Sequence, residues 1–245
     1  MTVVTVALNA LPLLRQTISA TASLGVAVEH WVIDGGSSDG TVEWLQGSEQ
    51  PSGLRWLSEP DSGIYDAMNK GLERATGRYV WFLNAGDVPF GSQVLGALMT
   101  SSSPDILYGD TVLVDATGQM RALSMAPQPL NASLMARGMY VSHQSFIVRR
   151  ELAPRYDLRY RYIADNKWAL ECLRRAGSVL HGGTLSKYLV GGLSERFYLR
   201  FWREKVRFTA EEMGVPRSLP VVAVDVAKAV RFLGGRWLRS WRRNA

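Results

Sequence analysis

Residues 31–41 read WVIDGGSSDGT, and residues 81–87 read WFLNAGD. Each stretch is an apolar, strand-like run that ends in a polar turn with a carboxylate, Asp34 in the first turn and Asp87 in the second. Glycines in such a turn permit positive φ angles and let the backbone approach a ligand closely. In open α/β sheets, ligands bind beyond the carboxyl ends of the strands. The two stretches therefore predict a ligand site along one edge of a sheet.

Strand-like and helix-like segments alternate over the first 100 residues, which is typical of βαβ units with parallel strands. The predicted strands lie at residues 3–8, 31–33, 54–57 and 78–83, and the predicted helices at residues 11–24, 42–45 and 64–74. Later in the chain, the pattern predicts a hairpin turn at 116–119, a helix at 165–176, and helices from residue 195 onward. The sequence therefore predicts an α/β fold with a mostly parallel sheet flanked by helices.

Both quoted stretches resemble motifs of the family 2 glycosyltransferases, which have the GT-A fold. The first motif of the family reads V-D-D-G-S-x-D-G-T and the second reads L-D-x-D-D, in the same order along the chain. Residues 58–71, SEPDSGIYDAMNKG, resemble a subgroup that builds bacterial surface polysaccharides. The resemblance covers roughly residues 2–190. It implies a catalytic domain at 1–195, with a nucleotide-sugar-binding half at 1–100 and an acceptor half at 101–195.

The resemblance implies that Asp34 holds the nucleoside of a sugar nucleotide. A carboxylate at this point can accept hydrogen bonds from a ribose hydroxyl or a base N–H. Asp34 and Asp39 can instead be turn residues only, a common use of aspartate. Asn9 can likewise be only a turn residue. Asp61 can alternatively cap the helix that starts near Ile64. The predicted nucleotide and donor site comprises Asn9, Asp34, Gly36, Ser37, Asp61, Gly63, Asn69, Asn84 and Asp87.

Asp87 is the predicted metal ligand. A nucleoside diphosphate departs with added negative charge, which a divalent cation stabilises. Mg²⁺ and Mn²⁺ prefer oxygen ligands, and Mg²⁺ binds through one or two carboxylates plus the substrate phosphates. The sequence departs from the family motif, because Asn84 and Gly86 stand where the family has aspartates. We therefore expect weak metal binding without the sugar nucleotide. The alternative is that Asp87 is only a turn residue before Pro89.

Asp165 is the predicted catalytic base. Residues 162–168, YIADNKW, resemble the helix-starting E-D element of the family, whose aspartate is the base, with Ala164 in place of the glutamate. An inverting transfer needs a carboxylate that takes the proton of the acceptor hydroxyl as that hydroxyl attacks C1 of the sugar. Asp165 can alternatively be only a helix cap, and Asp157 is the rival base.

His143, Gln144 and Trp168 are the predicted acceptor or sugar pocket. A neutral imidazole can also contact a metal or a phosphate, and the Trp168 ring can offer an aromatic face to a sugar. The alternatives are a structural role for His143 and core packing for Trp168.

The composition predicts a globular protein of the cytoplasm. The 245 residues include one cysteine, Cys172, so no disulfide framework is expected. No secretory signal pattern follows Met1, and no apolar run approaches the roughly 20 residues that a membrane-spanning helix needs.

Basic charge is concentrated at the carboxyl end. Residues 196–245 carry a formal charge of +8, whereas residues 1–195 carry −2. In this helical basic tail, residues 221–243 place apolar side chains on one face and Lys and Arg mainly on the other, a pattern typical of a helix at a membrane surface. A packing helix with a solvated basic face is the alternative. Because the body lacks a general basic patch, we do not expect nucleic acid as a partner.

These patterns together predict an inverting glycosyltransferase, of the hexosyltransferase type, in cell-surface polysaccharide biosynthesis. It would move a sugar from a UDP- or GDP-sugar to a saccharide or lipid-linked saccharide, at the inner face of the membrane. A nucleotidyltransferase would need a glycine-rich basic phosphate loop after the first strand, and residues 8–12, LNALP, are not such a loop. A non-enzymatic, membrane-associated polyanion-binding protein would leave the strand-end carboxylates unexplained.

Overall fold

The computed structural model describes residues 1–47, 50–90, 95, 96, 98, 103–138, 140–190, 197–224, 226 and 227. Within them, the strands are β1 (Thr2–Ala7), β2 (Glu29–Asp34), β3 (Leu54–Ser58), β4 (Tyr79–Phe82), β5 (Val88–Pro89), β6 (Ile106–Val114), β7 (Met120–Ser124), β8 (Phe146–Arg149) and β9 (Val179–Leu189). The α-helices are α1 (Leu11–Ala22), α2 (Thr41–Gln46), α3 (Ile64–Arg74), α4 (Ala132–Met135), α5 (Ala164–Arg175) and α6 (Tyr198–Met213).

The strands form one sheet in the order β3-β2-β1-β4-β8-β6-β9-β5, and β7 pairs with β6. The first four strands of this order are parallel, and Ala7 at the end of β1 lies opposite Asp34 at the end of β2. Beyond β4 the sheet is mixed, because β8 runs antiparallel to both β4 and β6. The predicted α/β class is confirmed, and the parallel arrangement brings the ends of β1 and β2 to one edge.

Helix α3 packs closely on this parallel part of the sheet because residue 71 is glycine. A Cβ at Gly71 would collide with the side chain of Val4 on β1 and would come within 3.3 Å of Ile33 on β2. Met68, one turn earlier on the helix, is fully buried. Burying an apolar side chain of this size contributes about 1.5–3 kcal/mol. The packing holds α3 against the strands whose ends carry the predicted donor residues.

An aromatic cluster joins helix α5 to the sheet. The ring of Trp168 on α5 stacks on Tyr156 with centroids 5.1 Å apart. It also meets Phe82 of β4 and Phe146 of β8 edge-on, at 5.5 and 5.8 Å. The indole N–H donates to the Pro154 carbonyl at 2.8 Å. Aromatic pairs in such geometries add about 0.5–1.5 kcal/mol beyond their buried area. The cluster therefore fixes α5 relative to the end of β4.

Helix α6 packs on the body of the protein. Phe208 is fully buried and meets the ring of Tyr160 at 6.3 Å. Residues 215–224 are also helical. Of the predicted surface helix at 221–243, positions 225 and 228–243 lie outside the described residues, as does the predicted boundary at 195/196. None of the described helices is both long enough and apolar enough to cross a bilayer.

Candidate active site

A cavity of about 490 Å³, here called the main cavity, gathers several predicted site residues. It lies where the turn after β4, the 3-10 turn at His143–Ser145 and the start of α5 meet. The predicted residues in its wall are Asn84, Asp87, His143, Gln144 and Asp165. The structure therefore brings the predicted metal ligand and the predicted base, 78 positions apart in the sequence, into one cavity.

Asp87 lies in a buried turn that its neighbours hold in place. Its backbone N–H donates to the Asn84 carbonyl at 2.9 Å, and its Oδ2 accepts from the Asn84 N–H at 3.2 Å. The Thr17 hydroxyl donates to the Asp87 carbonyl at 2.8 Å. Burial raises the pKa of Asp87 to about 7, although hydrogen bonds from Gln144 and the backbone act in the opposite direction. Burial therefore disfavours the charged form of this carboxyl group, and a nearby cation would favour it.

The cavity that contains Asp87 also has two unpartnered polar atoms, a nitrogen and an oxygen, of kinds that can bind a metal ion. His143 Nε2 and Asn84 Oδ1 are buried and lack hydrogen-bond partners in the described part of the chain. Burial lowers the pKa of His143 to about 4, so its imidazole is neutral at pH 7 and keeps a lone pair. The described residues contain no group of three or more His, Cys, Asp and Glu side chains that could hold a metal. A cation here therefore depends on the substrate phosphates for further ligands.

Asp165 lies in the first turn of α5 and accepts two hydrogen bonds on one oxygen. The Tyr65 hydroxyl donates to Oδ1 at 3.0 Å, and the Asn166 N–H donates to the same atom at 2.9 Å. Burial raises the pKa of Asp165 to about 6, while the bond from Tyr65 lowers it. A carboxylate with this pKa is ionised at pH 7 and is a stronger base than an ordinary aspartate.

The rival base Asp157 lies outside the main cavity. Its carboxylate accepts from the Arg159 guanidinium at 2.7 Å and pairs with Lys167 at 3.4 Å. Hydrogen bonds from Arg159 hold its pKa at about 2. A carboxylate this strongly stabilised as an anion is a poor proton acceptor, so the geometry favours Asp165.

Four predicted donor residues meet in the strand-end turn, which comprises Asn9 and residues 34–39. Asp34 is fully buried and accepts from the N–H groups of Gly36 and Ser37 at 3.1 and 3.0 Å. It also accepts from the hydroxyls of Ser37 and Ser58. Asn9 Oδ1 accepts from the Ser38 N–H at 2.8 Å. In this structure Asp34 organises the turn, and its contact with a nucleoside stays a prediction.

Asp61 and Gly63 lie beside this turn, ahead of α3. Asp61 Oδ1 accepts from the Gly63 N–H at 2.8 Å, and its Oδ2 lies where a Cβ on Gly35 would be. A side chain at position 35 would therefore collide with the Asp61 carboxylate unless that carboxylate moved. Gly63 has φ +135°, a conformation that favours glycine, at the start of α3.

Asn69 and Trp168, two further predicted site residues, reach neither the main cavity nor the strand-end turn. Asn69 Nδ2 donates to the Tyr156 carbonyl at 3.0 Å, and its Oδ1 accepts from the Tyr156 N–H at 2.7 Å, so its amide is used inside the core. Trp168 lies in the aromatic cluster and is 2% exposed. Both face the interior side of their helices, and the core-packing alternative for Trp168 fits the structure.

Sequence reasoning missed Tyr65, Arg161 and Tyr162, which also line the main cavity. Tyr65 stands in the quoted block at 58–71, but its bond to Asp165 spans 100 positions. Local patterns carry no signal for such a contact. Arg161 and Tyr162 stand four and three positions ahead of Asp165, and this closeness in the sequence is the signal that could have identified them.

Solved structures with a similar fold bind sugar nucleotides. Residues 1–349 of S. aureus TarS, in complex with UDP-GlcNAc, match with a TM-score of 0.66 and 16% identity, over 92% of this chain and 71% of that one. Glucosyl-3-phosphoglycerate synthase from Mycobacterium tuberculosis, in complex with Mn²⁺, UDP-glucose and phosphoglyceric acid, matches with a TM-score of 0.56 and 20% identity, over 89% and 80%. The mixed sheet and its flanking helices match the GT-A fold of these neighbours.

Residues 2–108 match the family model for glycosyl transferase family 2. An uncharacterised glycosyltransferase of Mycobacterium tuberculosis (strain CDC 1551 / Oshkosh) is 32% identical over 180 residues, which are 69% of this chain and 66% of the relative. A PGL/p-HBAD biosynthesis glycosyltransferase of Mycobacterium bovis (strain BCG / Pasteur 1173P2) is 27% identical over 226 residues, 87% and 85% of the two chains. The chain belongs to glycosyltransferase family 2. It spans just under two thirds of the first relative's length.

Proposed function

We propose that this protein transfers a hexose, with inversion at C1, from a UDP- or GDP-sugar to a saccharide or lipid-linked saccharide of the cell surface. The observation that carries the proposal is that Asp87 and Asp165 line one cavity. Asp87 is suited to binding a cation that stabilises the leaving diphosphate, and Asp165 is suited to taking the proton of the acceptor hydroxyl. The strand-end turn would then hold the nucleoside beside that cavity.

Asp165 is the proposed base. Its ionised carboxylate takes the proton of the acceptor hydroxyl while that oxygen attacks C1 and the nucleoside diphosphate departs. Tyr65 orients the carboxylate, because its hydroxyl and the Asn166 N–H both donate to Oδ1. Oδ2 is then the oxygen that accepts the proton. General bases positioned in this way contribute typically 10²–10⁴-fold in rate.

Asp87, His143 and Asn84 are the proposed protein ligands of Mg²⁺ or Mn²⁺. The cation would supply charge stabilisation for the departing diphosphate. The buried and unpartnered His143 Nε2 and Asn84 Oδ1 support this assignment. The glucosyl-3-phosphoglycerate synthase neighbour was solved with Mn²⁺ and UDP-glucose, which supports the choice of metal and donor.

The proposed setting is the cytoplasmic face of the membrane, with the surface bound through residues 221–243. The charge of +8 on residues 196–245 supports attraction to anionic lipids, which contributes about 1 kcal/mol per basic residue near the surface. The mycobacterial PGL/p-HBAD biosynthesis relative supports a cell-surface glycolipid or polysaccharide product. A chain shortened to end near Pro220 should lose binding to phosphatidylserine-containing liposomes and keep donor binding. Equal liposome binding by both chains would refute the membrane proposal.

A panel of nucleotide sugars tests the activity. The full chain should bind UDP- or GDP-sugars in a thermal-shift screen more strongly with Mn²⁺ than without, and should hydrolyse one of them slowly. A ligand at 100 times its Kd adds about 2.7 kcal/mol to stability, a readily measured shift. Release of pyrophosphate from a nucleoside triphosphate would instead indicate a nucleotidyltransferase. Binding of polyanions without any nucleotide response would contradict the enzymatic proposal.

A further inference from the structure

A second cavity of about 360 Å³ borders the main cavity. The two share part of one wall, namely Ile64, Tyr65, Arg161 and Tyr162. The shared Tyr65 is the residue whose hydroxyl binds the base Asp165. A molecule in the second cavity therefore lies beside the residues that would act on an acceptor hydroxyl. None of the residues predicted for the acceptor pocket lines this second cavity.

The charges around the second cavity favour an anion. Arg161 and Arg200 line it, and both side chains are exposed. Neither guanidinium forms an ion pair with any residue in the described ranges. The acidic lining residue, Asp66, accepts from the Ser62 N–H at 3.0 Å and lies 3.8 Å from the Lys70 ammonium. Within the described ranges, neither arginine therefore has a carboxylate at ion-pair distance.

Helix α6 builds this wall and fixes its position. Glu204 accepts from the N–H groups of Arg161 and Tyr162 at 2.9 and 2.7 Å, so both carboxylate oxygens hold the backbone that carries Arg161. The Arg200 guanidinium lies over the Phe197 ring, 5.6 Å from its centroid. Glu204 fixes the backbone of Arg161, and Arg200 extends from α6 itself, so this one helix sets the position of both arginines at the cavity.

The cavity rim is apolar as well as basic. Phe197 is 37% exposed and Leu158 is 50% exposed, and both line the cavity. The Tyr162 ring leans against Phe197 with centroids 5.9 Å apart. Two guanidinium groups match the double charge and the oxygen geometry of a phosphate ester, and the exposed apolar side chains suit a carbon chain or sugar face attached to that phosphate.

We propose that the second cavity binds the acceptor through a phosphate group, with Arg161 and Arg200 as its ligands and with Phe197 and Leu158 against the part next to the phosphate. The proposal rests on the glycosyl transfer proposed above. It names the substrate class as a phosphate-bearing acceptor. The phosphate can belong to a lipid carrier or to a water-soluble acceptor, and the experiment below separates these two sources.

The test uses the full chain with UDP and Mn²⁺ at saturating concentration, so that the main cavity is filled. Binding of geranyl phosphate, inorganic phosphate, geraniol and glucuronate is measured by titration calorimetry. We expect geranyl phosphate to bind and geraniol to bind at least tenfold more weakly. Tighter binding of geranyl phosphate than of inorganic phosphate indicates a lipid-linked acceptor, and equal binding of the two indicates a water-soluble one.

Arg200→Gln is the informative variant, because Arg200 lines only the second cavity, whereas Arg161 lines both. Its phosphate affinity should fall about tenfold, the scale of a lost charged hydrogen bond. Arg200→Lys should retain most of the affinity. Arg203→Gln is the matched control, since Arg203 is exposed on the same helix and lines neither cavity. UDP affinity should stay the same in all three variants.

Equal phosphate affinity of Arg200→Gln and Arg203→Gln would overturn the inference, as would geraniol or glucuronate binding as tightly as geranyl phosphate. Failure of the unmodified chain to bind UDP would instead refute the proposed function. The two failures are therefore distinguishable in one series of titrations.

Discussion

The strand-end turn and the main cavity differ in how far their buried polar groups are hydrogen-bonded. In the turn, Asp34 receives hydrogen bonds from two backbone N–H groups and two serine hydroxyls. In the main cavity, His143 Nε2 and Asn84 Oδ1 are buried without partners in the described chain, and burial raises the pKa of Asp87 and Asp165. The hydrogen-bonding groups of the first motif are thus satisfied within the turn, whereas two buried polar atoms of the main cavity have no partner in the described chain.

This difference predicts where a substitution should act. Changes in the main cavity should reduce catalysis and leave the fold intact, because the unsatisfied groups there contribute little to stability. Changes in the strand-end turn should reduce stability and donor affinity, because its hydrogen bonds fix the local backbone. The four substitutions below test this contrast in order of their expected effect on turnover.

Asp165→Asn should have the largest effect. The amide keeps the shape of the side chain but cannot take the acceptor proton, so kcat should fall roughly 10²–10⁴-fold. Donor affinity, measured by titration with UDP-sugar, should be unchanged. Asp157→Asn is the comparison variant and should retain kcat within about tenfold, since Asp157 lies outside the main cavity. The reverse ranking would move the base to Asp157.

Asp87→Asn should remove the response to metal. It deletes the carboxylate among the proposed ligands, and turnover should fall on the order of 10²–10³-fold, the scale of losing one preorganised charge-stabilising group. Mn²⁺ should no longer strengthen UDP binding in a thermal-shift titration. Asp115→Asn, in the hairpin between β6 and β7, is the charge-matched control. Near-normal, Mn²⁺-dependent turnover of Asp87→Asn would show that the metal lies elsewhere.

Tyr65→Phe should change the pH profile more than the maximal rate. Activity needs ionised Asp165, so it falls as pH drops through the pKa of about 6. The Tyr65 hydroxyl stabilises the anion and lowers this pKa, so its removal should move the acidic limb of kcat/KM to higher pH. The maximal kcat should stay within about tenfold of the unmodified chain. A reduced rate with an unmoved acidic limb would leave Tyr65 with a packing role only.

Asp34→Asn should act mainly on stability and donor affinity. The amide replaces one carboxylate oxygen by an NH₂ group, so at least one of the four donors loses its partner, at a cost of about 1–3 kcal/mol. Urea unfolding should show this loss, and KM for the donor should rise while kcat changes least among the four variants. A large fall in kcat with normal stability would contradict the division between turn and cavity.

Sequence alone predicted the fold class and the two strand-end motifs, because those features depend on local periodicity and on turn residues. The antiparallel insertion of β8 between β4 and β6 could not be predicted this way, since it depends on pairing between distant segments. The helix that begins at Asp165 was also foreseen from its local pattern. Its partner Tyr65 was not, because that contact is set by how α3 and α5 pack together.

Asn69 and Trp168 are residues that the sequence predicted for the site but that the structure places in the core. Both residue types are common in binding sites, and both lie in motifs that resemble the family. Helical position decides their role, because each faces the core, where Asn69 pairs with the Tyr156 backbone and Trp168 stacks on the Tyr156 ring. A residue type within a motif indicates chemistry, but only the packed structure shows which side chains reach the cavity.

The contact of Glu204 with the backbone of Arg161 and Tyr162 makes helix α6 and the cavity wall thermodynamically linked. A ligand that binds this wall and depends on its order should also stabilise the docking of α6. Conversely, anchoring α6 should strengthen binding of that ligand, and the coupling free energy is the same in both directions. The start of the basic extension therefore packs as part of the body that forms the two cavities. A truncation intended to remove the extension has to begin beyond Met213 if the site is to remain whole.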